Sequence, residues 1–213
     1  MWNLLKKKLF SIIDNRVNLI VNEVININNN KYEINFSDET STVSLPYSLN
    51  GGKYLHIGNG SRIGKFCWIG AFDKYLNQEF SPEIKIGNNV NIGNFVCITA
   101  INRIVIADGC LFSEYIYISD HYHGYDASEN TSPALQPLYS KGEVYIGENT
   151  FIGIRASILS GVTIGRNCVV GAHSVVTKSI PDYSMVTGAP AVIVKKYDLL
   201  KNQWVSISET EEK

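Results

Sequence analysis

Six residues separate one aliphatic position from the next through most of this chain, and that interval decides what it can fold into. From Ile86 the sequence divides into IGNNVN, IGNFVC, ITAINR, IVIADG, CLFSEY and IYISDH, opening at positions 86, 92, 98, 104, 110 and 116. After an interruption it resumes at Ile146 as IGENTF, IGIRAS, ILSGVT, IGRNCV, VGAHSV and VTKSIP. A shorter run opens at Ile57, Ile63 and Ile69, each followed by glycine. Six is a multiple of the strand repeat of two and does not match 3.6, so the blocks read as short strands joined by turns. The fifth residue of most blocks is compact (Ser61, Val90, Val96, Ala156, Ser174), which suits a second inward position beside a tight corner. Three such faces close a triangle, and successive triangles stack at the strand spacing of ~4.8 Å. The expected fold is an all-β solenoid of parallel strands.

Composition removes other classes. The 213 residues carry 20 acids and 19 bases, a formal charge of -1 that exerts no long-range pull on nucleic acid. The four cysteines, Cys67, Cys97, Cys110 and Cys168, form no CxxC pair and read as reduced core thiols. Over the first 25 residues, Trp2, Leu5, Leu9, Ile12, Val17, Ile20 and Val24 fall mostly three or four apart, predicting an amphipathic helix packed on its own protein or on a neighbouring subunit. Lys6, Lys7 and Lys8 leave contact with an anionic membrane surface as the other reading. The apolar stretch is cut at Asp14, Asn15 and Arg16, too short for a secretory signal or a membrane span, so no stable membrane insertion and a cytoplasmic address are expected. Residues 26–50, rich in Asn and Ser, read as irregular or weak strand. The organisation expected is an N-terminal helix and irregular segment over 1–50, the solenoid over 51–196 and a C-terminal tail over 197–213.

Solenoid repeats are monotonous, so chemistry is sought where an insertion leaves the stack. One departure, residues 71–85, carries Phe72, Tyr75 and Phe80; a longer one runs over 119–145 and holds two of the four histidines. His121 stands at its start, and imidazole is the side chain best suited to accept a proton near neutrality. Loop position alone leaves it either a general base or a structural hydrogen-bonding residue. His123, two residues on, shares its direction if the segment is extended, and either lines an acceptor pocket or sits at the surface. Glu114, Asp120, Glu143 or a backbone carbonyl are all available to orient the base. His56 and His173 fall inside regular repeats and read as structural. The glycines of Gly58-Asn-Gly60-Ser-Arg-Ile-Gly64 are repeat corners; their spacing is wrong for a nucleotide fingerprint and no helix follows.

The run IGENTFIGIRASILSGVTIGRNCVVGAHSVVTKSIPDYSMVTGAPAVIVKK from Ile146 to Lys196, with its closing Gly188-Ala-Pro190 turn, resembles the hexapeptide-repeat acyltransferases. The resemblance extends over roughly residues 54–195 and is strongest to the acetyl-CoA-dependent O-acetyltransferases of sugars and surface polysaccharides. It implies a left-handed parallel β-helix, a homotrimer, and acetyl-CoA as donor lying in a groove between subunits, with no metal. It implies that His121, in Ser119-Asp-His121, is the catalytic base. It places Phe151 at a position usually held by tryptophan, a departure that keeps the aromatic face and loses the indole N–H. The amide of Ile154 would face the thioester oxygen and that of Ala172 the pantetheine arm, while Lys178, joined by Lys195, would pair with the coenzyme phosphates. Tyr122, His123 and Tyr139, with Tyr125 and Tyr145, would surround a saccharide acceptor. Neighbouring readings are a streptogramin-type antibiotic O-acetyltransferase and a nucleotide-sugar N-acetyltransferase. Outside acyl transfer stand a carbonic-anhydrase-like zinc enzyme and a noncatalytic scaffold.

Overall fold

The computed structural model describes Arg16 and residues 34–207. The chain divides into two units, Met1–Glu33 and Ile34–Lys213, and the helix expected over the first 25 residues lies outside the described residues. The second unit is the solenoid. Apart from the closing hairpin its strands are two to five residues long, and they join into three parallel sheets that the chain visits in rotation. The first sheet holds Asn35–Phe36, Leu55–Ile57, Glu83–Ile86, Arg103–Ile106, Val144–Ile146 and Thr163–Ile164. The second begins at Thr42–Val43 and continues through Arg62–Ile63, Asn91–Ile92, Leu111–Phe112, Phe151–Ile152 and Val169–Val170 to Ser184–Gly188. The third contains Ser48–Asn50, Trp68–Ala71, Cys97–Ala100, Tyr117–Ser119, Ser157–Ile158 and Val175–Val176.

Each sheet sends apolar ladders inward, two from the first sheet, and those ladders are the core. Ile57, Ile86, Ile106, Ile146 and Ile164 align on the first sheet; Ile69, Ile98, Ile118, Ile158 and Val176 align on the third, and all are buried. Each contributes ~1.5–3 kcal/mol by leaving water. The compact fifth positions, Ser61, Val90, Val96, Ala156 and Ser174 among them, are buried beside the corners as expected.

Three expectations need correction. The fourth coil is not in the register that the openings at 104, 110 and 116 imply. Ile86 pairs with Ile106 and Ile98 with Ile118, 20 residues apart, whereas Ile146 and Ile164 are 18 apart. A slip of two leaves every inward side chain inward, so the apolar pattern conceals it. The solenoid also begins before residue 51: Phe36 pairs with Ile57, Val43 with Ile63 and Leu49 with Ile69, so residues 35–50 form a coil with no isoleucine–glycine opening. The chain beyond Lys196 is not a bare tail, because Ala191–Asp198 and Gln203–Ser206 add an antiparallel hairpin to the second sheet.

The corners differ in chemistry. Between the first and second sheets the left-handed residue is Gly60, Asn89, Gly109, Asn149 or Asn167, the types that tolerate that conformation, until the last coil, where it is Tyr183. Between the second and third sheets it is Phe66, Phe95, Tyr115, Arg155 or His173. There the rings stack, Phe66 on Phe95 at 5.0 Å and Phe95 on Tyr115 at 4.7 Å, with Arg155 over Tyr115 at 5.4 Å, offsetting the backbone strain. Both departures leave from the remaining corner, between the third and first sheets. Among the described residues no helix is long and apolar enough to cross a membrane.

Candidate functional site

Asp120 follows directly on the strand Tyr117–Ser119 and points into the stack, fully buried. Its carboxylate accepts the backbone N–H of Ile101 at 3.0 Å and that of Asn102 at 2.8 Å, both from the preceding coil. Oδ1 lies 2.9 Å from Nδ1 of His121. With two backbone donors already on the carboxylate, Nδ1–H is the natural third, which leaves the lone pair on Nε2. Ser119 fixes the main chain of His121: its Oγ donates to the His121 carbonyl at 2.8 Å and accepts the His121 N–H at 3.2 Å. The carbonyl of Asp120 accepts two hydroxyls, Ser140 Oγ and Ser160 Oγ, each at 2.6 Å. The imidazole is thus tied to the coil before it, the coil after it and the returning end of its own loop, and its side chain keeps 11% exposure. Asp120 is the orienting partner. Glu114 instead accepts from Asn94 and Glu143 from Arg103, away from His121.

The long loop is a ribbon. Tyr122–His123 pairs antiparallel with Leu138–Tyr139, and the buried amide of Gln136 closes its tip on Asp126 and Thr131. The shorter departure folds as a second hairpin, Lys74–Tyr75 against Gln78–Glu79, and reaches the ribbon. The side-chain amide of Gln78 donates to the Leu138 carbonyl at 3.0 Å and accepts the Leu138 N–H at 2.7 Å, standing in for a strand backbone. Tyr75 donates its hydroxyl to the carbonyl of Ala134 at 2.6 Å, and its ring lies edge-on to His123.

Two cavities meet at His121. The larger, about 410 Å³, is lined by Trp68 and Tyr117 of the third sheet, Phe72 and Tyr75 of the short departure, and Tyr122, His123 and Leu138 of the ribbon. The smaller, about 240 Å³, is bordered by Tyr125, Lys141, Leu159 and Ser160. His121, Tyr117 and Tyr122 belong to both. The loop residues singled out in the sequence therefore separate. Tyr122 and His123 line the larger cavity, whereas Tyr139 stacks behind Tyr122 with ring centroids 6.0 Å apart. Tyr145 does not join them; it lies on the first sheet, paired with Val105 and Thr163.

The residues assigned to the donor are spread along the stack. Phe151 is exposed on the second sheet between Leu111 and Val169. Ile154 and Ala172 occupy successive turns of the corner between the second and third sheets, so the width of the third sheet separates them from His121. Lys178 follows Val176 at the corner of His121, two coils further on, and Lys195 lies on the closing hairpin beside Met185. His56 and His173 lie on the first sheet and at the second-to-third corner, far from this cluster in the topology. Among the described residues no three His, Cys, Asp or Glu side chains converge as a metal set would. Sequence reasoning missed Trp68, Phe72, Tyr75, Tyr117 and Leu138 as neighbours of His121. The available signal was that both interruptions leave from one corner, so they must overlie one another.

The family model for the bacterial transferase hexapeptide, six repeats, matches residues 143–178. WbbJ of Escherichia coli K12, named as an O-acetyl transferase of lipopolysaccharide biosynthesis, is 35% identical over 163 residues, which is 74% of this chain and 76% of WbbJ. The chain belongs to the hexapeptide-repeat acyltransferases. Rv3034c of Mycobacterium tuberculosis H37Rv, named as an acetyltransferase, is 39% identical over 137 residues, covering 64% of this chain but only 44% of that protein's length. Among solved structures, AntD, an N-acyltransferase from Bacillus cereus captured with dTDP and 3-hydroxybutyryl-CoA, superposes with a TM-score of 0.65 at 20% identity. That superposition covers 83% of this chain and 87% of AntD, and shows that the two share a fold.

Proposed function

We propose that the protein moves the acetyl group of acetyl-CoA to a hydroxyl of a saccharide, a cell-surface polysaccharide unit or its precursor, with His121 as general base. What carries the reading is the His121–Asp120 pair: an imidazole held through Nδ1 by a buried carboxylate at the junction of two cavities, in a chain of this family. One cavity would receive the alcohol and the other the thioester.

The acceptor hydroxyl gives its proton to Nε2 as its oxygen attacks the thioester carbon. The Asp120 carboxylate stabilises the imidazolium that forms. The tetrahedral intermediate then collapses, the C–S bond breaks, and the departing thiolate takes the proton back from Nε2. The products are acetyl ester and coenzyme A, and the imidazole is neutral again. A thioester is already an activated acyl donor, so no covalent enzyme intermediate is needed. The amide of Ile154 would bind the oxyanion and that of Ala172 the pantetheine arm. Phe151 would cover the donor with a ring, and Lys178 and Lys195 would meet its phosphates.

Because Ile154 and Ala172 lie across the third sheet from His121, the reading includes a homotrimer in which the base of one subunit works beside donor groups of the next. It also includes the left-handed coil of the family and a cytoplasmic location, where acetyl-CoA is made.

The test is acetyl-CoA-dependent thiol release against a panel of saccharides. The expected outcome is release that depends on the sugar and falls by ~10² to 10⁴ in kcat when His121 is replaced by Ala. Near-normal turnover in His121→Ala would overturn the alcohol reading in favour of an amine acceptor, which attacks without a strong base. A monomer mass in light scattering at working concentration would overturn the shared site.

A further inference from the structure

We infer that the larger cavity is the acceptor subsite, that it accepts a neutral hexopyranosyl residue by its apolar face, and that the hairpin Lys74–Glu79 is the element that sets this preference. The inference rests on the saccharide reading above and narrows it to a substrate class.

The floor comes first. Trp68, Cys97 and Tyr117 are register partners on three successive strands of the third sheet, and the two large rings are exposed. Trp68 and Tyr117 stand two strand spacings apart, ~9.6 Å, with only a thiol between them. Cys97 is too small to fill that interval, so a trough runs between the rings. Thr99, two residues on along the middle strand, lines the cavity and brings only a neutral hydroxyl to it. Aromatic walls follow on both sides, Phe72 and Tyr75 from the hairpin side and Tyr122 from the ribbon.

Among the described residues no Asp, Glu, Lys or Arg lines this cavity. Lys141 lines the smaller cavity instead. A uronate carboxylate or a nucleotide diphosphate entering here would lose hydration and meet two imidazoles but no ammonium or guanidinium among the described lining residues. The C–H face of a neutral pyranose loses little hydration and gains contact with the rings, while rim hydroxyls reach the Tyr75 and Tyr122 hydroxyls and the imidazoles. The volume of about 410 Å³ falls within the ~300–1,000 Å³ usual for small-ligand sites.

The hairpin makes this pocket. Gln78 clamps both polar groups of the Leu138 backbone, and Leu138 lies opposite His123 in the ribbon. Without the clamp the ribbon loses both bonds to its strand backbone and is held to the hairpin by the Tyr75 hydroxyl on Ala134, at the far end. Gln78 is therefore a positioning residue for the acceptor and has no contact with the donor side.

Binding is read apart from acyl transfer, through quenching of tryptophan fluorescence by the methyl glycosides of glucose, galactose, mannose and rhamnose, with methyl glucuronide as the charged probe. Trp68→Phe identifies the reporter. Neutral glycosides should quench in the parent and not in Trp68→Phe, and glucuronide should need ~10-fold more for the same effect. In the thiol-release assay, Gln78→Ala should raise the acceptor KM by ~10-fold and leave the acetyl-CoA KM unchanged, and UDP-glucose should be the poorer acceptor. Quenching without thiol release supports the subsite and overturns only the acyl-transfer reading. Absence of quenching by every neutral glycoside overturns the subsite. So does equal or better use of glucuronide or UDP-glucose, or a Gln78→Ala effect confined to acetyl-CoA.

Discussion

In two successive coils the corner between the third and first sheets is closed in different ways. After Ile158 the chain turns through Leu159, Ser160 and Gly161 and re-enters the first sheet at Thr163. Gly161 makes that possible at φ 78°, where an added Cβ would press on the Lys141 backbone at 2.9 Å. One coil earlier, after Ile118, the chain leaves the stack and returns only at Val144. There side chains do the closing: Asp120 takes the amides of Ile101 and Asn102, and Ser140 and Ser160 hold its carbonyl. An ordinary turn needs only a permissive backbone. An interrupted turn needs buried polar groups, and one of them is left able to hold a histidine.

Substitutions on either side of this comparison should separate chemistry from folding. The largest effect belongs to His121→Ala, with the loss of turnover given above and a melting temperature close to the parent's. Asp120→Ala comes next, because it strands the buried amide of Ile101 at ~1–3 kcal/mol, unpairs the part-buried amide of Asn102 and frees the imidazole. Both melting temperature and kcat should fall, and a fall in kcat alone would show that the carboxylate is not part of the fold. Gly161→Ala, in the plain turn, should cost ~1–2 kcal/mol in denaturant melts through its left-handed φ and leave kcat/KM nearly intact. Ser160→Ala removes a donor to Asp120 and the acceptor of the Lys141 N–H at 2.7 Å, for ~1 kcal/mol, with a small drop in kcat. The smallest effect concerns Cys110 in the regular stack, whose thiol burial pushes from 9.0 up to about 11. Its pKa is higher folded than unfolded, so its contribution is whole below pH 9 and lost as the pH climbs toward 11. Melting temperature should decline across that window, and less steeply in Cys110→Ala.

Much of this was legible in the chain because isoleucine at intervals of six, with compact residues between, leaves no other packing for Ile57, Ile63 and Ile69 or for Ile146 through Val176. The two-residue slip before Ile106 was not, because strand side chains alternate with period two and Ile104 is as buried as Ile106. Nor was the first coil, whose inward-register positions Phe36, Val43 and Leu49 are spaced seven and six apart without the glycine. At the site, His121 stood out by position, but its partner had to be chosen by geometry from four acceptors. Tyr75 and Gln78 were invisible as site builders because they act on Ala134 and Leu138, about 60 residues away in sequence.

The bonds around Asp120 also tie activity to the mechanics of the stack. In a linear array each coil is steadied only by its neighbours, so melting can begin at an end and travel inward. Ser160 grips the aspartate from the coil above, and Ile101 and Asn102 grip it from below. Any parting of these three layers releases the imidazole before the aliphatic ladders come apart, so on warming, turnover should fail ahead of the bulk loss of strand signal.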